Sequence, residues 1–268
     1  MKEIPKLGFG TWPLRGTEAL DSIAVAFETG FRHLDTAQLY DNEHDVGEAV
    51  RRSGLKRDEI FVTTKVSPDN LPAERFLDSV RRSLDALGVD SVDLLLIHWP
   101  SRDRNLFDGA IDRLVECATM ELAGKVGVSN FTPKMLERAA GRAAGRLVTN
   151  QVEYHPLIDQ RPLEQVARDA GMKLTAYGAL ARGECLKVLA IGRIAQRRGV
   201  SAAEVILSWA LAQDVCVLTR SNKPDHIRAS WKAQDLKLSA DELVEISALR
   251  EGNRRFIAPA NLLPGWDF

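Results

Sequence analysis

Asp35 and Tyr40 place a carboxylate and a phenol on one short stretch, Phe31–Gly47, which reads FRHLDTAQLYDNEHDVG. Phe31 and Leu34 belong to a short apolar segment that stops at Asp35, and a helical pattern starts near Asn42–Glu43. Lys65 and His98 also fall at the ends of predicted strands. A lysine ending an apolar strand needs a carboxylate partner, and Asp35, one strand away, is the natural candidate. An ammonium near Tyr40 is expected to lower its phenol from the ordinary value of about 10, making it a usable proton donor. The chemistry on offer is therefore acid–base. Each residue also has a plainer reading. Asp35 could cap a helix, Tyr40 could pack its ring, and His98 could be a satisfied core histidine. A metal site is not expected, because His33, His44, His155 and His226 show no paired ligand spacing.

The elements that must position these residues alternate along the chain. Predicted strands are Lys6–Thr11, Arg32–Thr36, Glu59–Lys65, Val92–Trp99, Lys125–Ser129, Val148–Tyr154, Lys173–Tyr177 and Val215–Arg220. Helical spacing follows each one. Gly30 is expected to stop a helix over Glu18–Thr29, Gly88 one through Leu77–Leu87, and Gly124 one over Leu106–Leu122. Thr132-Pro133 offers an N-cap with proline at the first helical position. Further helices are expected at Pro162–Ala170, Leu186–Gln196, Ala202–Ala212, Pro224–Lys232 and Ala240–Leu249. Ser201-x-x-Glu204 and Ser239-x-x-Glu242 read as capping boxes, and the tail from Glu251 to Phe268 as irregular. Eight strand–helix repeats without a linker predict one (β/α)8 TIM barrel, a single domain over 1–268. An open doubly wound sheet is the alternative. Against it, Gly8-Phe9-Gly10-Thr11-Trp12-Pro13 lacks the third glycine of a dinucleotide fingerprint.

Composition narrows the function class. The 268 residues are 45% hydrophobic and 27% charged, with formal net charge −1 and no basic stripe, so a nucleic-acid partner is not expected. Cys117, Cys185 and Cys216 are far apart and form no CxxC pair, as in a reduced cytoplasmic protein. The N-terminal MKEIPKLGFG has no apolar signal region, and no stretch has membrane length. In a barrel of this kind the functional face lies at the carboxyl ends of the strands. Those ends gather Asp35, Tyr40, Lys65, His98, Ser129-Asn130, Gln151, Tyr177 and Arg220-Ser221 on one rim.

Several motifs lie in order along that frame: GFGTW (Gly8–Trp12), LDTAQLYDNEHDVGEA (Leu34–Ala49), TTK (Thr63–Lys65), DLLLIHWP (Asp93–Pro100), GVSNF (Gly127–Phe131) and NQVEYHP (Asn150–Pro156). Through them the chain resembles the aldo-keto reductases over essentially its whole length. The closing NRRFIAPANLLPGWDF is similar to the bacterial 2,5-diketo-gluconate reductase B and methylglyoxal reductase branch. The resemblance implies an NADP-dependent oxidoreductase that reduces the carbonyl of small aldehydes and ketones, methylglyoxal and keto sugars such as 2,5-diketo-D-gluconate among them, to alcohols. It implies Tyr40 as the general acid, Lys65 paired with Asp35 as the group that tunes it, and His98 as the group that orients the carbonyl.

For the cofactor, the resemblance places Ser129, Asn130 and Gln151 on the carboxamide and Tyr177 against the nicotinamide ring. Leu180 would lie in the loop along the pyrophosphate. Where many members read Ile-Pro-Lys-Ser, this chain has Leu218-Thr219-Arg220-Ser221, then His226 and Ser230 where an arginine and an asparagine are common. Arg220 suits a 2′-phosphate, so NADPH is the expected cofactor and His226 a small platform for the adenine. Trp12 and Trp99 would line the substrate site. The short SRDRN loop and brief tail predict an open, shallow pocket. A monomer is expected. Two other readings use the same residues: a Schiff-base enzyme at Lys65, and a binding module that keeps the cofactor site without turnover.

Overall fold

The computed structural model describes residues 2–268. Its strands are β1 (Leu7–Gly10), β2 (His33–Asp35), β3 (Phe61–Val66), β4 (Val92–Ile97), β5 (Ala123–Ser129), β6 (Leu147–Glu153), β7 (Lys173–Tyr177) and β8 (Cys216–Thr219). The helices are α1 (Gly16–Thr29), α2 (Glu43–Arg52), α3 (Ala73–Leu87), α4 (Phe107–Thr119), α5 (Pro133–Arg142), α6 (Arg161–Asp169), α7 (Leu189–Arg198), α8 (Ala202–Ala212), α9 (Pro224–Lys232) and α10 (Ala240–Ser247). Neighbouring strands are parallel and follow chain order around a closed barrel. Pairing of Leu7 with Val217 closes the ring between β1 and β8, which excludes the open sheet. No helix among the described residues is long and apolar enough to cross a membrane.

Local signals explain most of the boundaries. Thr132 accepts a hydrogen bond from the Met135 N–H, and both capping boxes form. Gly30 ends α1 at φ 126°, a value open to glycine alone. Gly124 does not stop a helix. Helix α4 ends at Thr119, Glu121 takes the left-handed turn at φ 60°, and Gly124 already lies in β5. The predicted helix from Leu186 starts later, at Leu189, because Arg182 and Gly183 adopt positive φ and break the chain into a tight turn first.

The period-two alternation of the strands sorts the barrel wall into two faces. Leu34, Val62, Val66, Leu95, Ile97, Val126 and Val128 point out into the main core beneath the helices. The residues between them point inward. Low in the barrel these are apolar: Phe61, Leu94 and Leu96 form a separate cluster with Ile4 and Val148. His33 sits opposite Phe61, and its Nε2 meets Thr63 Oγ1 at 2.9 Å. Gly8 fills the remaining gap, since a Cβ there would stand 2.6 Å from His33 Nδ1. Further along the same inward face come Asp35, two residues after His33, Lys65, two after Thr63, and His98, two after Leu96. A floor of Phe61, Leu94 and Leu96, with the paired His33 and Thr63 beside them, thus supports a polar carboxyl-end rim.

Candidate active site

Lys65 is fully buried, and its Nζ donates to Asp35 Oδ1 at 2.5 Å and to the Thr36 carbonyl at 2.8 Å. Its third contact is the Tyr40 hydroxyl at 3.3 Å. The second Asp35 oxygen accepts from Gln151 Nε2 at 2.8 Å, so both carboxylate oxygens are engaged. The His98 ring meets Tyr40 edge to face, with centroids 5.3 Å apart. The four residues from β2, its following loop, β3 and the end of β4 therefore form one constellation, a tetrad.

Their electrostatics differ from the sequence expectation at one point. Burial opposes the charge on Lys65, but Asp35 and Tyr40 outweigh it and hold the ammonium above its ordinary value. A charged, enclosed amine of this kind is a poor Schiff-base nucleophile. Desolvation pushes the Tyr40 phenol up, and the counter-pull of Lys65 does not reverse it. The predicted lowering is thus corrected to a rise: the dry site favours the neutral phenol. Burial, reinforced by Lys65, lowers His98 well below 6.5, so its imidazole is neutral. Its Nδ1 is buried and has no hydrogen-bond partner among the described residues.

The loop that presents Tyr40 is tied down by two amides. Gln38 donates to Ser79 and Ser83 on α3 and accepts from the Ser67 N–H and Asn70. Asn42 accepts from Thr36 Oγ1 at 2.6 Å and donates to the Thr11 and Leu14 carbonyls. Fixing each end of a short turn limits where the phenol can go, which is what positional catalysis requires.

Around β5–β7 the rim is a second network. Tyr177 donates to Asn130 Oδ1 at 2.6 Å, and Asn130 Nδ2 donates to the His98 carbonyl and to Ser129 Oγ, each at 3.0 Å. Asn130 reaches these partners from a left-handed backbone, φ 63°, a conformation asparagine tolerates. A cavity of about 830 Å³ opens above. Asp35, Tyr40, His98, Ser129, Asn130, Gln151, Tyr177, Leu180, Arg220, Ser221, His226, Trp12 and Trp99 all line it; Lys65 lies behind them. Ser230 does not. It bonds Thr219 Oγ1 at 3.2 Å instead.

The irregular tail is a wall of this cavity. Glu153, fully buried at the end of β6, accepts the Phe256 and Ile257 N–H groups at 2.7 and 3.0 Å and meets His155 Nε2 at 2.9 Å. Burial alone would raise its carboxyl; these three partners more than offset that and lower it. Ile257 then packs on Gly178, where a Cβ would stand 2.6 Å away. Further on, Trp266 Nε1 donates to the Ser101 and Arg102 carbonyls, and Trp266 and Phe268 pack on Phe107. Pro259, Asn261 and Leu262, between the two anchors, face the cavity. The tail thus forms part of the cavity wall.

Residues 6–251 match the aldo/keto reductase family. The chain belongs to that family. It is 38% identical over 266 residues to methylglyoxal reductase DkgB of Escherichia coli O157:H7, covering 98% of this chain and 99% of the relative. It is 34% identical to a 9,11-endoperoxide prostaglandin H2 reductase of Trypanosoma cruzi strain CL Brener, over 98% and 93% of the two chains. The crystal structure of a candidate 2,5-diketo-D-gluconic acid reductase B superposes with TM-score 0.94 at 40% identity, covering 99% of this chain and 94% of that one. A point mutant of Gox0644 in complex with NADPH superposes at 0.88 with 29% identity, covering 94% and 92%.

Several residues of this aldo/keto reductase site escape a reading of the sequence. Arg182 and Lys223 line the cavity beside Arg220. Neighbouring acids do not neutralise them, because Glu184 pairs with Lys187 and Asp225 with Arg228. Their signal is a cationic residue in each of the loops after β7 and β8. Gln38, Asn42 and Glu153 give no such signal, since an amide or acid looks alike whether it holds a loop or meets solvent.

Proposed function

We propose that this aldo/keto reductase reduces the carbonyl of small aldehydes and ketones, methylglyoxal and keto sugars among them, with NADPH as cofactor and Tyr40 as the general acid. The observation that carries the reading is the Tyr40 hydroxyl, 3.3 Å from the Lys65 ammonium and facing the cavity beside a neutral His98. The names of the relatives supply the substrate types. The NADPH complex of one structural neighbour supports the cofactor.

The cavity fits a nicotinamide dinucleotide at both ends. Ser129, Asn130 and Gln151 bring hydroxyl and amide groups to one side, with the Tyr177 ring fixed beside them by Asn130. Arg182, Arg220 and Lys223 supply positive charge for phosphates on the other. Bound there, the cofactor supplies the hydride. The chain supplies the rest. Neutral His98 donates an N–H to the carbonyl oxygen and orients it. Tyr40, protonated in its dry surroundings, gives up its phenolic proton as negative charge develops on that oxygen. Lys65, held charged by Asp35, stabilises the phenolate left behind. Every one of these residues comes from one chain, so the site is complete in a monomer. Its three cysteines are unpaired thiols, as a cytoplasmic setting requires.

Steady-state NADPH oxidation with methylglyoxal tests the reading, run beside NADH and a panel of aldehydes. Turnover faster with NADPH than with NADH is expected. Cofactor binding without turnover on any aldehyde would instead favour the binding-module reading.

A further inference from the structure

The three rim residues expected on the cofactor carboxamide differ in what they still have to offer. Ser129 donates its hydroxyl proton to the Gln151 carbonyl at 2.7 Å and accepts from Asn130 Nδ2. Asn130 spends its Nδ2 hydrogens on the His98 carbonyl and Ser129 Oγ, and its Oδ1 accepts from Tyr177. An amide carries two N–H donors and a hydroxyl one, so neither residue keeps a donor. Gln151 is different. Its Nε2 donates to Asp35 Oδ2 at 2.8 Å, while its Oε1 accepts from no described residue. The sealed polar atoms without a partner are the Nδ1 atoms of His33 and His98 alone, and Gln151 lines the cavity. The Gln151 oxygen is therefore open to it.

Asp35 dictates this orientation. Its carboxylate can only accept, and Oδ1 is already taken by the Lys65 ammonium at 2.5 Å. Oδ2 must then face the NH2 end of Gln151, which leaves the opposite end, an acceptor, for a ligand. Turning the amide round would set two oxygens against each other where both side chains are buried. Such a contact costs the hydrogen bond and leaves a buried carboxylate oxygen unpaired.

We propose that Asp35 is a positioning residue for the cofactor as well as the partner of Lys65: through Gln151 it selects the NH2 end of the nicotinamide carboxamide. The contact of Gln151 with the carboxamide rests on the reductase reading; what is added is the group that fixes which end of the amide meets it. One carboxylate thus serves both halves of the site. One of its oxygens holds the ammonium beside Tyr40, and the other orients the amide on the cofactor side.

Binding without turnover tests this. NADP+ and its 3-acetylpyridine analogue, which carries a methyl group in place of the carboxamide NH2, are each titrated against quenching of the tryptophan fluorescence. The natural chain is expected to bind NADP+ about three- to tenfold more tightly, the worth of one hydrogen bond. In Asp35→Asn the new side chain must keep its oxygen for Lys65, which only donates, and turn its NH2 toward Gln151. Gln151 then reverses and offers an N–H to the cavity, so the preference should vanish. Loosened packing alone would weaken both dinucleotides together. Equal affinities in the natural chain, or an undiminished preference in Asp35→Asn, would overturn the inference and leave the reductase reading standing. Should that variant not fold, the Gln151 side-chain amide resonances of the natural chain, assigned by their loss in Gln151→Met, carry the test. Protons slow to exchange with solvent are expected from the bond to Asp35, and freely exchanging ones would overturn it. No binding of either dinucleotide would remove the reductase reading and this inference with it.

Discussion

Lys65 Nζ and Asp35 Oδ1 stand 2.5 Å apart, with the lysine wholly out of solvent and the aspartate 3% exposed. Such a pair adds little net stability over an apolar replacement, because each charge gives up its hydration. Breaking it is another matter. Lys65→Met leaves Asp35 with Gln151 alone and is expected to cost about 3–5 kcal/mol of folding stability. The double variant Asp35→Asn, Lys65→Met should regain most of that loss in urea denaturation while activity stays low. A single variant as stable as the natural chain would show that the pair is not held as described.

Two buried histidines make stability depend on pH. Burial lowers His33 to about 4 and His98 well below 6.5. Between about pH 6.5 and 4, the unfolded chain therefore binds protons that the folded chain refuses. Stability is full above 6.5 and falls as pH drops through that window, by up to about 1.4 kcal/mol per pH unit for each histidine. The lowered Glu153 carboxyl, whose ordinary value is 4.5, adds its own loss only below that. Urea midpoints at pH 7 and pH 5 check this; equal midpoints would contradict it.

Helix α2 approaches the end of α3 at Gly47, where a Cβ would stand 2.4 Å from the Leu87 carbonyl oxygen. That neighbour is backbone and cannot rotate away. Gly47→Ala should therefore destabilise by about 1–3 kcal/mol, the usual cost of overpacking. Thermal melting reads it directly, and an unchanged melting temperature would mean that the two helices can part cheaply.

Arg220 lines the cavity with Arg182 and Lys223. If it grips the 2′-phosphate, Arg220→Ala should raise KM for NADPH by about ten- to a hundredfold, the worth of one charge-assisted hydrogen bond. KM for NADH should barely move. An equal rise for both cofactors would assign Arg220 to a phosphate that they share.

The barrel is legible in the sequence because its signals are local: apolar runs of strand length, N-caps at Thr132, Ser201 and Ser239, and glycine stops at Gly30 and Gly88. The tetrad is legible because three of its members end inward-facing strands, where a titratable residue stands out against hydrocarbon. Harder to read is anything that depends on distant chain segments meeting. Glu153 looks like one more acid in NQVEYHP until the backbone of Phe256 and Ile257 comes down on it. The Tyr40 phenol misleads for a related reason. The lysine beside it can be inferred from spacing, but how much water the folded walls remove cannot, and desolvation decides the direction.

Tyr40 is the proton donor on which the proposed reduction depends, and single-turnover reduction of methylglyoxal by the NADPH-loaded Tyr40→Phe variant tests that role most directly. Loss of the general acid should slow the reduction step by about 10²–10⁴-fold, with NADPH affinity unchanged, because the ring and its packing on His98 stay in place. Reduction at the natural rate in the variant would contradict the assignment and move the proton to another group.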